Sequence, residues 1–350
     1  MSVKSFYTSL AVGFALFLSA AFVIQNPYFT ITQKDVSAPL PAHFPKPVYT
    51  FQNNAPKAKV FVLGRRLFYD PLLSKDHSVS CASCHERIAA FAHIDHRLSH
   101  GIYAKIGTRN VPALQNLIWK KQFMWDGGVN HLEVQPLNPI TSPIEMDEDL
   151  NRVIHKLRVD SVYPLLFQEA FGDTLINSER LLKSLAQFTG LMISADSRYD
   201  RFIQGKETFT AKEKEGLKLF RLNCASCHKE PLLSDQRFRN NGLPADSSLN
   251  DKGREGITHL ASDAYLFMVP GLRNIERTYP YMHDGRFKNL KEVLNHYGNP
   301  KQWSPGADPV LLKMKGLTEE EKTALIAFLY TLTDKTFLYD RRFANPFFVY

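Results

Sequence analysis

Apolar and polar positions divide this chain into three kinds of segment. Leu10–Ile24 (LAVGFALFLSAAFVI) is an uncharged run preceded by Lys4. Its length suits the apolar part of an export signal, and Ser19, Ala20 and Ala21 are small enough for cleavage. Extended over residues 5–28, the run reaches the roughly 20 residues that span a bilayer. It predicts an exported, periplasmic chain in which residues 1–28 are either a signal peptide or an N-terminal membrane anchor. No cysteine stands at its end, which excludes a lipoprotein. Residues 29–58 are rich in proline and polar side chains and predict an extended linker or surface strap. Beyond them the spacing is mostly helical. Thr210 with Glu213, and Thr318 with Glu321, form capping-box pairs ahead of amphipathic runs. After the second box, Leu325, Phe328, Leu329 and Leu332 recur at three- to four-residue intervals, as one face of a helix requires. Residues 150–157 and 179–193 also predict helices, and strand signals are short and weak. The expected class is mainly α with long irregular connections, which need something to wrap around.

Composition narrows the function classes. The 350 residues suffice for two ordinary domains, and 44% hydrophobic with 22% charged residues describes a globular chain. A net charge of +8 spread without long basic runs gives no footprint for nucleic acid. P-loop, dinucleotide-binding and zincin motifs are absent from the sequence.

The second half of the chain repeats the first. Cys81-Ala82-Ser83-Cys84-His85 returns as Cys224-Ala225-Ser226-Cys227-His228, 143 residues later, and the two copies use all four cysteines. LGRRLF before the first answers EGLKLF before the second. Pro112–Asn116 answers Pro270–Asn274, and Trp125-Asp126-Gly127 answers His283-Asp284-Gly285, both 158 residues apart. The halves, residues 59–205 and 206–350, thus descend from one unit. They differ where their chemistry should differ, as at Trp125 against His283.

C-x-x-C-H is the attachment signature of a c-type haem. The two thiols bond the porphyrin edge and the histidine sits beneath the iron. Zinc held by four cysteines would leave His85 and His228 unexplained. A disulfide across two residues is strained and would not recur with a histidine attached. The expected architecture is therefore two cytochrome c-like domains related by internal duplication, each built around one covalent haem c. The sixth position on each iron then decides between electron transfer and reaction with an oxidant.

LGRRLFYDPLLS, SCASCH, GTRNVPAL, FMWDG, PIEMDE, VPGLRN, YPYMHDG and LNHYG follow in that order between Leu63 and Asp334. In this the chain resembles the bacterial di-haem cytochrome c peroxidases and the related MauG-type enzymes. The resemblance implies a peroxide-reacting N-terminal haem on Cys81, Cys84 and His85. It implies Glu145 as acid–base catalyst, with Gln135 and Pro139 nearby. The residues alone also allow Ser142–Glu145 to be a helix cap, with proline at the first helical position. The C-terminal haem, on Cys224, Cys227 and His228, would supply electrons, with Trp125 as relay between the two and His283 close to the C-terminal iron. A calcium ion between the domains would take the Asn110 side chain and the carbonyls of Thr278 and Pro280.

The chain departs from the peroxidase pattern at two positions. Where those enzymes place a displaceable histidine on the N-terminal iron, this chain has Ile102, which cannot ligate. An open N-terminal iron is expected, with His100 as the alternative ligand; His93, His96 and His100 could equally be surface residues of a polar loop. Where the peroxidases place a distal methionine on the C-terminal iron, this chain has Tyr297, as MauG-type enzymes do. A phenolate favours the higher oxidation states of iron, whereas methionine raises the potential. His296, Met268 and Met282 are the competing ligands. The resemblance thus implies hydrogen peroxide as oxidant. The electrons come from a small cytochrome c or copper protein or, in the alternative that Tyr297 favours, from residues of a partner protein. A tethered electron carrier without turnover is disfavoured by Glu145 and the missing distal histidine.

Overall fold

The computed structural model describes residues 30–314 and 316–348. The export signal or anchor expected within residues 1–28 lies outside them. Among the described residues no helix is long and apolar enough to cross a membrane.

Two helix pairs carry the architecture, one in each half. In the N-terminal half, α1 (Ala58–Tyr69) packs along α4 (Ser178–Gly190), with α2 (Leu150–Val159) and α3 (Tyr163–Phe171) beside them. In the C-terminal half, α5 (Ala211–Asn223) packs along α7 (Glu319–Tyr330), and α6 (Leu290–Tyr297) lies against α7. Both expected capping boxes form. Thr210 receives the amide of Glu213 at the start of α5, and Thr318 that of Glu321 at the start of α7. Strand is confined to one antiparallel pair, β1 (Phe238–Arg239) with β2 (Phe267–Met268), in which Phe238 faces Met268.

The duplication is visible in three dimensions. Asn116 and Asn274, equivalent in sequence, both adopt a left-handed backbone, with φ of 59° and 58°, ahead of a short 3-10 turn. The amide of Asn116 bonds the carbonyl of Met192, and that of Asn274 bonds the carbonyl of Leu332. The repeats meet here: Gln115 donates to the carbonyl of Arg273, and Asn274 donates to the side chain of Gln115.

Each half has its own core. Phe61, Leu67, Phe68, Phe167, Leu185 and Phe188 fill the first; Phe220, Leu325, Phe328 and Leu332 fill the second. Fully burying each such side chain is worth about 1.5–3 kcal/mol, and the apolar face read from the sequence at Leu325, Phe328, Leu329 and Leu332 is the one buried in the second core. The chain's end crosses back over the division near residue 205. Phe337, Leu338 and Phe343 belong to the first core, and Tyr69 donates its hydroxyl to the carbonyl of Phe343. The proline-rich segment is anchored to the body of the protein. Phe44 is buried edge-on against Trp119, whose indole N–H bonds the carbonyl of Pro45, and the guanidinium of Arg273 lies over its ring.

Candidate functional site

The first C-x-x-C-H begins where α1 and the loop after it deliver Ser80, which caps the single helical turn Cys81–Cys84. That turn carries His85 to a position where its Nδ1 lies 2.6 Å from the carbonyl of Phe91. Only a protonated Nδ1 can make this bond, so Nε2 keeps its lone pair. Burial pulls the imidazole down to about 4, which keeps it neutral. An oriented, neutral imidazole whose outer nitrogen is held by a carbonyl is what an axial iron ligand needs. The second motif follows α5 directly. His228 Nδ1 lies 3.2 Å and 3.1 Å from the carbonyls of Leu233 and Pro270, and burial again lowers its affinity for a proton.

The four cysteines are unpaired. Burial pushes the thiols of Cys81, Cys84 and Cys224 up to about 12, 11 and 12, so they stay protonated. Among the described residues no cluster of three or more histidines, cysteines or carboxylates is arranged to hold a metal ion. Thiols and imidazole fit a covalent haem instead.

Glu145 is drawn to the first motif by backbone contacts. Its amide bonds the carbonyl of Ser142, its carbonyl accepts from the amide of Ile102, and Met146 donates to the carbonyl of Pro139. Gly101 lies so close that a Cβ on it would come within 1.9 Å of the carbonyl oxygen of Ile144. The carbonyl of His100, one residue earlier, accepts from the Cys84 thiol at 3.3 Å. Ile102 is fully buried beside this segment. Burial raises the pKa of the Glu145 carboxyl, partly offset by a hydrogen bond from Ser142. The helix cap that Ser142–Glu145 could have formed does not exist: residues 143–146 are turns, and α2 begins later, capped by Asp149. Gln135 is one turn from Pro139, with its amide 3.9 Å from the sulfur of Met124.

His93, His96 and His100 are not scattered over a loop. His93 Nε2 lies 2.8 Å from His96 Nδ1, the His96 and His100 rings are 4.3 Å apart, and Glu86 pairs with His93 at 2.9 Å. The periodicity of the segment gave no sign of this cluster.

The second motif opens on a cavity of about 270 Å³ that Cys224, Cys227 and His228 share with Trp125, His283 and Tyr297. Asn110, Thr278 and Pro280 line it as well, so one cavity joins a residue of the first half to residues 168 and 170 positions later. The Trp125 indole N–H bonds the carbonyl of Asn110 at 2.8 Å, and the Trp125 carbonyl receives the amide of Met268. This tryptophan is thereby fixed between the halves. The Asn110 amide in turn bonds the carbonyl of His283, whose ring stacks on Phe267 at 3.7 Å.

Of the two adjacent distal candidates, one lines the cavity. Tyr297 lines the cavity, and burial raises its phenol to about 12. His296, one residue earlier, does not line it, and its Nε2 lies 3.0 Å from the carbonyl of Asn241. Met268 and Met282 also line the cavity, with the sulfur of Met282 accepting from Asn241.

Comparison with known proteins agrees with this geometry. Residues 58–208 match the family model of di-haem cytochrome c peroxidase, and residues 213–333 match that of cytochrome c. The chain is 34% identical to the methylamine utilization protein MauG of Methylorubrum extorquens, over 86% of each chain. It is 32% identical to the cytochrome c peroxidase Ccp of Escherichia coli, over 83% of this chain and 62% of that one. Among solved structures, a MauG-like protein associated with microbial copper homeostasis superposes with a TM-score of 0.81 at 31% identity, over 88% of this chain and 98% of the other. With its two C-x-x-C-H sites, its paired helical cores and these relatives, the chain belongs to the family of di-haem cytochrome c peroxidases and MauG proteins.

Proposed function

We propose that this protein is a periplasmic, peroxide-dependent oxidoreductase that draws electrons from the side chains of a partner protein. The observation that carries this reading is that Tyr297 lines the cavity of the C-terminal motif and His296 does not. A phenolate ligand makes an iron that holds oxidising equivalents well and accepts electrons from an ordinary cytochrome poorly.

The bound haems supply the redox chemistry: hydrogen peroxide takes two electrons and two protons and becomes two waters. The chain's residues manage the protons and the route. Glu145, half-buried and adjoining the first motif, would accept a proton from the near oxygen of peroxide and return it to the departing one. Gln135 and Pro139 shape that pocket. Ile102, where the peroxidase pattern has a histidine, offers no ligand, so an iron held by His85 would be open to peroxide on that side. Trp125, fixed by Asn110 and Met268, relays electrons between the halves. The partner's side chains lose the two electrons and two protons, which balances the reaction. Asn110, Thr278 and Pro280, which line the same cavity as His283, would hold calcium through oxygen ligands. Residues 1–28 would export the chain and either leave it or tether it.

The 32% identity to a cytochrome c peroxidase favours a second reading, in which a small cytochrome c or copper protein supplies the electrons. A steady-state assay with peroxide and a reduced cytochrome decides between them. Rapid turnover sinks the first reading. Slow turnover, with a long-lived spectral change on adding peroxide alone, supports it. The relative associated with copper homeostasis directs the search for a partner to copper-handling proteins.

A further inference from the structure

Lys120 is contributed by the N-terminal half, yet it lines the cavity of the C-terminal motif. Its position is held from the other half of the chain. The side-chain amide of Gln236 donates to the carbonyl of Trp119 at 2.9 Å and accepts from the amide of Lys121 at 3.3 Å. Both peptides flanking Lys120 are thereby fixed to the loop that follows His228. Gln236 lines the same cavity.

The charge of Lys120 is unanswered. Two other strong cations line the cavity, and each is committed. Arg239 is bound by Asp235 and Asp308, and Arg273 by Asp200 and the carbonyl of Pro231. Among the described residues, no carboxylate or hydrogen-bond acceptor meets the Lys120 ammonium. Its surrounding protein lowers the ammonium to about 8, and desolvation is the whole cause. Lys120 retains some accessible surface, and it faces the cavity. A lysine held inside a protein without a partner is costly unless the site's ligand answers it. The ligand this cavity fits, a haem c, carries two carboxylates of its own on its propionate arms.

We propose that Lys120 is the counter-ion of a haem propionate in the C-terminal cavity, supplied across the boundary between the halves. The inference rests on the reading of that cavity as a haem site. It assigns the lysine a positioning and tuning role: an ammonium beside the propionate offsets its negative charge and so favours the reduced iron.

The test uses the matured protein, with Lys120→Met and Lys120→Arg beside the wild type. Haem content is measured by mass and absorbance, and each haem is titrated spectroelectrochemically. In Lys120→Met, two haems should remain, and the C-terminal one should become harder to reduce. Its reduced-to-oxidised ratio at a fixed potential should fall roughly three- to tenfold, given the strength of partly screened charge pairs. Lys120→Arg should restore the wild-type ratio, and the N-terminal haem should not move. An unchanged C-terminal potential in Lys120→Met, with both haems present, overturns the proposal. Equal loss of the C-terminal haem from both variants also overturns it, because a steric role would then suffice. A wild-type protein without a haem on Cys224 and Cys227 would remove the reading beneath the proposal, an outcome visible before any variant is compared.

Discussion

Gly64 and Gly216 occupy equivalent places in the two halves, each at the closest approach of its helix pair. A Cβ on Gly64 would stand 1.9 Å from the carbonyl oxygen of Ser184, and one on Gly216 would stand 2.0 Å from that of Ala324. The repeat therefore preserves a backbone contact as well as a haem motif. Within an exposed helix, Gly→Ala is stabilising by up to about 1 kcal/mol. Here the sign should reverse, because the pair must separate and its apolar faces part. Gly64→Ala and Gly216→Ala should each cost about 1–3 kcal/mol or more. Thermal melts of the matured protein check this, and a melting temperature at or above wild type would contradict the packing.

Glu145 should set the acid side of the pH profile. Burial disfavours its charged form, so it keeps its proton to higher pH than an ordinary glutamate. The carboxylate is the form that accepts a proton from peroxide. Activity should therefore rise as pH climbs through a value above the usual carboxylate range, and fall below it. Glu145→Gln should lower the rate of peroxide reaction by roughly 10²–10⁴-fold and flatten that limb. A limb that persists in the variant assigns it to another group.

Tyr297→Phe should change the optical spectrum of the C-terminal haem, whereas His296→Ala should leave its ligation intact. The reverse pattern would exchange the two assignments. Neither substitution should alter the N-terminal haem, since the residues that surround it come from elsewhere in the chain.

The resting N-terminal haem should be high-spin, with an open face, before any reductant is added. Ile102 is buried beside Glu145 and offers no ligand. His100→Ala should leave that signal unchanged. If instead the resting protein is wholly six-coordinate and low-spin, and His100→Ala abolishes that state, His100 is the ligand.

Trp125→Phe should keep the aromatic packing and lose the bond to the carbonyl of Asn110, worth about 1 kcal/mol. The first reaction with peroxide should proceed at the wild-type rate, while transfer between the haems slows. Stopped-flow spectra resolve the two steps. Equal rates for both would remove Trp125 from the route.

Much of this was legible in residue order because it is local. Two thiols and an imidazole within five residues specify haem attachment wherever the chain goes. Capping boxes at Thr210 and Thr318 likewise act within one turn, and both form. The same kind of box at Ser142 does not, since the segment is tied to Ile102 and Pro139 instead and no helix starts there. Local preference yields where long-range backbone contacts are at stake.

What the sequence by itself determined is the number of haem motifs, the duplication, the helical class and the family. Each rests on residues a few positions apart or on the repetition of such groups. Only the tertiary structure decided that Tyr297 faces the cavity and His296 does not, that Lys120 enters a site belonging to the other half, and that the chain's last described residues close the first core. Those outcomes depend on which surfaces meet. A difference of one residue turns a helix by about 100°, and only its packed neighbours determine which of two adjacent side chains that turn points inward.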